Sequence, residues 1–192
     1  MILKGAVWLL GLGPLVWTGY RLSADGLGAN PIEALLHFAG RWTLILLLVG
    51  LSISPIRRLT GWNRIIKVRR LVGLFAFSYA TLHLFIYLGV DQGFAWSFIW
   101  EDVAERPFIT SGALSFVLLI PLAVTSTKGW IRRLGRRWQL LHRLVYPAAA
   151  FGALHFYWKV KADTLWPLVA VGVLAVLMAA RFPWRRILKG GA

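Results

Sequence analysis

The sequence predicts an all-α membrane protein, a bundle of six transmembrane helices with both termini cytoplasmic and a single domain over residues 1–192. Three observations predict it. The chain is 58% hydrophobic with a mean hydropathy of +0.66, more apolar than soluble domains usually are. Six apolar runs near the length of a membrane crossing recur along it. The loops between these runs alternate in charge, as the positive-inside rule requires of a multi-span protein.

The runs fall at about 5–20, 34–54, 71–90, 108–124, 138–158 and 165–180. The first carries Lys4 and an apolar stretch but no clear cleavage site, and further spans follow, so it reads as a span and not a signal peptide. Gly11-Leu12-Gly13 lies inside it and reads as packing or kink residues, not a dinucleotide loop. Asn30-Pro31-Ile32-Glu33 opens the second span with an N-cap, a proline at the first helical position and a capping glutamate. Ser54-Pro55 closes that span. Pro107 opens the fourth, and Asp163-Thr164 can cap the sixth. Pro14, Pro121 and Pro147 lie inside spans and should kink them, which membrane helices tolerate when neighbours satisfy the freed carbonyls. No sequence repeat, soluble domain or low-complexity linker is evident.

The loop after the second span holds Arg57, Arg58, Arg64, Lys67, Arg69 and Arg70. The loop after the fourth holds Lys128, Arg132, Arg133, Arg136 and Arg137. The tail holds Arg181, Arg185, Arg186 and Lys189. With Lys4 and Arg143 these place 17 of the 22 basic residues on one side. All seven acids (Asp25, Glu33, Asp91, Glu101, Asp102, Glu105 and Asp163) fall on the other. The basic side is therefore cytoplasmic. Topology accounts for the net charge of +15 without nucleic acid. Trp96, Trp100, Trp158 and Trp166 sit near the outer ends, where an interfacial aromatic belt belongs.

The sequence contains no cysteine, which excludes disulfides, iron–sulfur clusters and thiolate haem ligation. The spans hold no Asp or Glu for a proton relay, and Met is nearly absent, so a metal transporter lacks its usual ligands. What the spans do hold is histidine. Counting from the cytoplasmic ends at 1.5 Å per residue, His83 lies about 18 Å in and His155 about 26 Å in. His142 lies only about 6 Å in, and His37 lies at the outer edge. His83 and His155 thus form a depth-matched pair on different helices. Two imidazoles facing each other across a planar gap are what six-coordinate haem b requires. Gly73, Ala76, Ala80, His83 and Tyr87 share one face of the third span, and Ala148, Gly152 and His155 one face of the fifth, leaving room for a porphyrin. Small residues also let helices pack closely, and membrane histidines also hydrogen-bond neighbouring helices. The residues alone leave both readings open.

Several stretches carry a resemblance: LGANPIEALLHFAGRW (27–42), ISPIRR (53–58), VRRLVGLFAFSYATLH (68–83), ERPFITSG (105–112) and LAVTSTKGWIRRLGRRWQLLHRLVYPAAAFGALHFYW (122–158). The chain resembles the MsrQ (YedZ) family, haem-binding membrane subunits of the periplasmic methionine sulfoxide reductase system. That family lies within the ferric reductase-like transmembrane group, which includes NADPH oxidases. The likeness covers nearly the whole chain. It implies one or two haem b groups with iron ligands at His83, His155 and His142, and FMN as a second cofactor. It implies electrons arriving from a cytoplasmic flavin reductase using NAD(P)H, or from quinol. They would leave to a periplasmic molybdopterin methionine sulfoxide reductase that repairs oxidised proteins. One departure from the wider group concerns His142. Two-haem members carry histidines fourteen apart on each of two helices. Here His142 and His155 are thirteen apart, about 140° around an ideal helix, with Pro147 between them. Arg70 stands thirteen before His83 where a histidine would be needed. An inner haem on His142 therefore has no obvious second ligand.

Arg69, Arg70, Arg137 and Arg143 are candidates for haem propionates or a flavin phosphate, which guanidinium clamps well; topology charge is the simpler account of any one of them, and Arg143, next to His142 inside the span, is the best candidate. Arg136 is grouped with them. Arg41, one turn from His37 at the outer rim, is a candidate for an outer propionate or a snorkelling arginine. His37 is either an extra ligand or a polar rim residue. The sequence thus reads as an electron-transfer subunit of the bacterial inner membrane, not itself the sulfoxide-reducing catalyst. The alternatives are a self-standing ferric or quinone reductase and a non-redox carrier or scaffold.

Overall fold

The computed structural model describes residues 2–24, 26–160 and 164–181. Asp25, Lys161, Asp163 and the tail residues Arg185, Arg186 and Lys189 lie outside them. The described residues build nine α-helices and no strand. These are α1 (Ile2–Ala24), α2 (Pro31–Thr60), α3 (Arg69–Phe85), α4 (Trp96–Glu105), α5 (Pro107–Val124), α6 (Lys128–Leu134), α7 (Arg136–Leu141), α8 (Val145–Lys159) and α9 (Leu165–Ala179).

Among the described residues four stretches are long and apolar enough to cross a membrane: Ile2–Ala24, Pro31–Thr60, Asn63–Asp91 and Pro107–Val124. They correspond to the first four expected spans. α9 is apolar but only 15 residues long. The fifth expected span is interrupted: α7 gives way to a 3₁₀ turn at His142–Leu144 before α8 begins. The cause is Pro147. It has no N–H for the Arg143 carbonyl four residues back, and its ring crowds that carbonyl. Pro147 therefore sits in the first turn of α8, and the disruption falls just before it instead of kinking the helix around it.

Asn30 caps α2 as its sequence predicts, accepting from the Glu33 N–H at 3.2 Å, with Pro31 at the first helical position. Ser54-Pro55 does not close α2, which continues to Thr60 and ends on Gly61 at φ 70°. Pro55 leaves the Leu51 carbonyl without its helical partner. The Arg181 guanidinium supplies one, donating from Nη2 to the Leu51 oxygen and from Nη1 to the Tyr146 hydroxyl at 2.8 Å. A neighbouring helix end thus satisfies the carbonyl that a mid-helix proline frees.

Two helix pairs form the core. α2 packs against α3 and α5 against α8 far more extensively than either pair packs on the other. Leu47, Val72, Phe75, Ala76 and Tyr79 are buried with Leu119 and Ala148, and Leu51 with Ala149, Ala153 and Leu174. Ser111 and Ser115 fasten α5 to α8, each donating at 2.8 Å, to the Phe151 and Ala148 carbonyls. α1 is peripheral, with Gly11 its one buried residue. The two pairs are alike in a way the sequence did not reveal. Leu36 and Phe108, Gly40 and Gly112, and His83 and His155 each stand 72 positions apart. Each trio occupies the same places in its own pair.

Candidate functional site

His83 is near the end of α3 and His155 near the end of α8, and the fold brings them together. Their ring centroids are 5.9 Å apart with ring planes at 80°. Each ring is fixed by a carbonyl on the paired helix. His83 Nδ1 lies 3.0 Å from the Leu36 oxygen on α2, and His155 Nδ1 lies 2.6 Å from the Phe108 oxygen on α5. A carbonyl only accepts, so Nδ1 carries the proton in both rings and Nε2 keeps its lone pair. This is the orienting partner that metal-bound imidazoles usually have.

Glycine makes both positions possible. A Cβ on Gly112 would stand 2.8 Å from His155 Nδ1, and one on Gly40 would stand 3.2 Å from the same atom of His83. A side chain at position 112 would force the His155 ring to shift, and one at position 40 would crowd the His83 ring by a few tenths of an ångström. Of the small-residue stripes, a Cβ on Gly73 would meet nothing within 4 Å, whereas other members are taken up by helix packing. Ala76 and Ala148 are fully buried in helix contacts, and a Cβ on Gly152 would meet Ser115 Oγ at 3.3 Å. Tyr87 leaves the expected face, because the backbone widens into a π-helix at Ile86–Asp91. Its hydroxyl instead donates to Asp102 at 2.9 Å, which also pairs with Arg106 at 3.1 Å.

The pair fits haem b. Two metal–imidazole bonds of about 2 Å, plus about 1 Å from each nitrogen to its ring centre, place the centres about 6 Å apart. The two rings come from separate helix pairs, α2 with α3 and α5 with α8. Among the described residues no group of three or more His, Asp or Glu comes together to hold a bare metal ion.

Of the other two histidines, His37 comes within electrostatic reach of His83 and His142 stands apart from the pair. His142 lies in the 3₁₀ turn, stacked on Trp138 with centroids 3.8 Å apart. Its Nε2 is 3.2 Å from Thr125 Oγ1, whose own hydrogen goes to the Pro121 carbonyl at 2.6 Å. The hydroxyl oxygen therefore accepts, so the proton sits on Nε2 and the free lone pair on Nδ1, the reverse of the other two rings. His37 is paired with Glu33 at 3.4 Å in the first turns of α2. Arg41, Arg70, Arg137 and Arg143 are all exposed. Arg69 is partly buried, with Nη1 3.4 Å from Ser54 Oγ. Sequence reasoning missed Arg181 as an inward-facing group; its signal was a lone cation directly after an apolar helix. It also missed the two carbonyls and two glycines, which show only when residues more than 40 positions apart are brought into contact.

Residues 39–153 match the family model described as ferric reductase like transmembrane component. A Rhodospirillum rubrum protein named protein-methionine-sulfoxide reductase heme-binding subunit MsrQ is 52% identical over 92% of this chain and 85% of its own length. The chain belongs to the MsrQ family. MsrQ proteins of Caulobacter vibrioides and Xanthomonas axonopodis pv. citri are 50% and 46% identical, over 94% and 92% of this chain and 86% and 80% of theirs. The MsrQ family membership and the ferric reductase-like match make this a membrane protein. The family-model match includes His83 and His142 and stops two residues short of His155. No solved structure matches the chain.

Proposed function

We propose that this chain is the haem b subunit of a methionine sulfoxide reductase system, with His83 and His155 as the two axial ligands. The observation that carries the reading is the pair itself: two imidazoles 5.9 Å apart, from separate helix pairs, each with Nδ1 held by a carbonyl. The relatives' printed names supply the haem and the reductase. When bound, haem b supplies a one-electron Fe(III)/Fe(II) couple. The chain's own part is to present two Nε2 lone pairs, to fix the ring planes through Leu36 and Phe108, and to keep the site dry inside an apolar bundle. With both axial positions taken by imidazole, electron transfer is favoured over oxygen chemistry, which suits a subunit distinct from the sulfoxide-reducing catalyst.

Six spans form a single domain over residues 1–192 in the bacterial inner membrane, with both termini cytoplasmic. Electrons enter at the basic face, from a flavin reductase or quinol, and leave to a periplasmic molybdopterin reductase. The segregation of charge along the sequence supports this orientation. His142 and Arg69 lie on the electron-entry side and are the candidates for a second haem. Arg41 remains the candidate for an outer propionate and His37 for an extra ligand. FMN rests on the family resemblance and on the cytoplasmic-side arginines Arg70, Arg137 and Arg143 alone.

Dithionite reduction of the purified protein should give sharp low-spin haem b bands. His83→Ala and His155→Ala should each remove them, and an unchanged spectrum in either variant would overturn the assignment. The family model's description favours one second reading, a ferric reductase that needs no protein partner. Reoxidation of the reduced subunit by ferric citrate as fast as by its reductase partner would support that instead.

A further inference from the structure

We propose that the cleft between α1 and the segment Arg64–Leu74 is a binding site for an anionic phospholipid. α1 is held to the bundle near its middle. Tyr79 donates to the Gly11 carbonyl at 2.8 Å, and Trp8 meets Phe75 edge-on at 5.1 Å. Toward the N-terminal end of α1 a cleft of about 500 Å³ remains against the 3₁₀ segment Asn63–Val68, with Lys4, Arg64 and Lys67 on its walls. A second hollow of about 170 Å³ shares Lys4 and Lys67, adds Arg70, and runs along Trp8, Leu71 and Leu74.

Four cations therefore line one continuous groove. Among the described residues none of the four has an ion pair or a side-chain hydrogen bond, whereas Arg106 and His37 have theirs with Asp102 and Glu33. Glu33 opens α2, and this groove follows its other end, 30 residues or about 45 Å along the helix. Four like charges in one groove repel each other, and an anion among them removes that repulsion.

Topology charge alone needs no cavity and no apolar floor, and this site has both. The cations stand where an apolar helix begins, the level of a lipid phosphate. The groove then descends along Trp8, Leu71 and Leu74, as an acyl chain does. Inorganic phosphate would use the cations and leave the apolar floor unmatched. A phospholipid with net negative charge uses both, and basic hollows between transmembrane helices on this side of a membrane commonly take such headgroups. The inference rests on the chain spanning a membrane and not on its carrying haem.

The test uses the full chain purified in mild detergent from cells rich in phosphatidylglycerol. Co-purifying lipid is identified by native mass spectrometry. The double variant Arg64→Gln/Lys67→Gln should lose the bound phosphatidylglycerol. The variant Arg132→Gln/Arg133→Gln, with the same charge loss on α6, should keep it, and Lys4→Gln at the exposed tip of α1 should show partial loss. Phosphatidylglycerol added to delipidated protein should raise its melting temperature, while phosphatidylcholine and inorganic phosphate should not. The haem spectrum should be the same in all variants, which separates this result from the cytochrome reading. Equal lipid retention in both double variants would overturn the proposal. So would an equal shift with inorganic phosphate, or release of FMN in place of lipid from the cleft variant.

Discussion

Which ring nitrogen is free separates the three partly buried histidines. His83 and His155 lock Nδ1 on carbonyls and offer Nε2, while His142 spends Nε2 on Thr125 and offers Nδ1. His142→Ala should therefore leave the low-spin bands of the His83–His155 pair intact; their loss on that substitution would show that the three rings share one site. The glycines give a graded test. Gly112→Ala places a methyl 2.8 Å from His155 Nδ1, and Gly40→Ala places one 3.2 Å from His83 Nδ1. The first should abolish most low-spin haem. The second should lower or broaden it, since a neighbour can give by a few tenths of an ångström. Absorption and electron paramagnetic resonance spectra of the purified variants check both. Depth counting along helices made the His83–His155 pairing legible in the sequence. The partners that hold the rings were not legible, because a carbonyl carries no residue signature and a glycine's clearance exists only once another helix arrives.

Prolines decide how each helix runs. Pro55 and Pro147 are both i+4 from a carbonyl they cannot satisfy, with different outcomes. At Pro147 the preceding turn tightens into 3₁₀, whereas at Pro55 the helix stays regular because Arg181 takes over the Leu51 carbonyl. Arg181→Met should destabilise the protein by about 1–3 kcal/mol, the cost of an orphaned buried acceptor. Pro55→Ala restores a backbone N–H there, so in that background the same substitution should cost much less. Thermal unfolding of the two single variants and the double variant in detergent measures the coupling. Additive losses would mean that Arg181 stabilises through its contact with Tyr146 instead. Hydropathy located the first four apolar segments and α9 to within several residues, but it gave no sign that the fifth expected span breaks at His142–Leu144. It could not show that α2 passes through Pro55 or that the π-helix at Ile86–Asp91 turns Tyr87 toward Asp102, since both depend on a partner from another helix.

At the level of the whole molecule, the absence of cysteine from the sequence gives a clean probe of orientation. Single cysteines placed at Trp100 in α4 and at Leu134 in α6 should differ toward a membrane-impermeant maleimide on intact cells from which any outer membrane has been stripped. Trp100→Cys should label and Leu134→Cys should not; the opposite pattern would invert the bundle and the proposed direction of electron flow. Charge segregation along the sequence is what supports this proposed orientation. The likeness of the two helix pairs was hidden, because only scattered positions such as Gly40 and Gly112 keep the correspondence.

That likeness has a consequence for how the chain can be divided. Each histidine finds its carbonyl and its glycine within its own half, so neither half depends on the other to shape its ligand. Cutting the chain between α3 and α4 severs none of those bonds. Two fragments, one ending after Asp91 and one starting before Trp96, should reassemble when produced together. Their recovery as a pair should rise with haem supply, since in this reading the iron is the fastening between them.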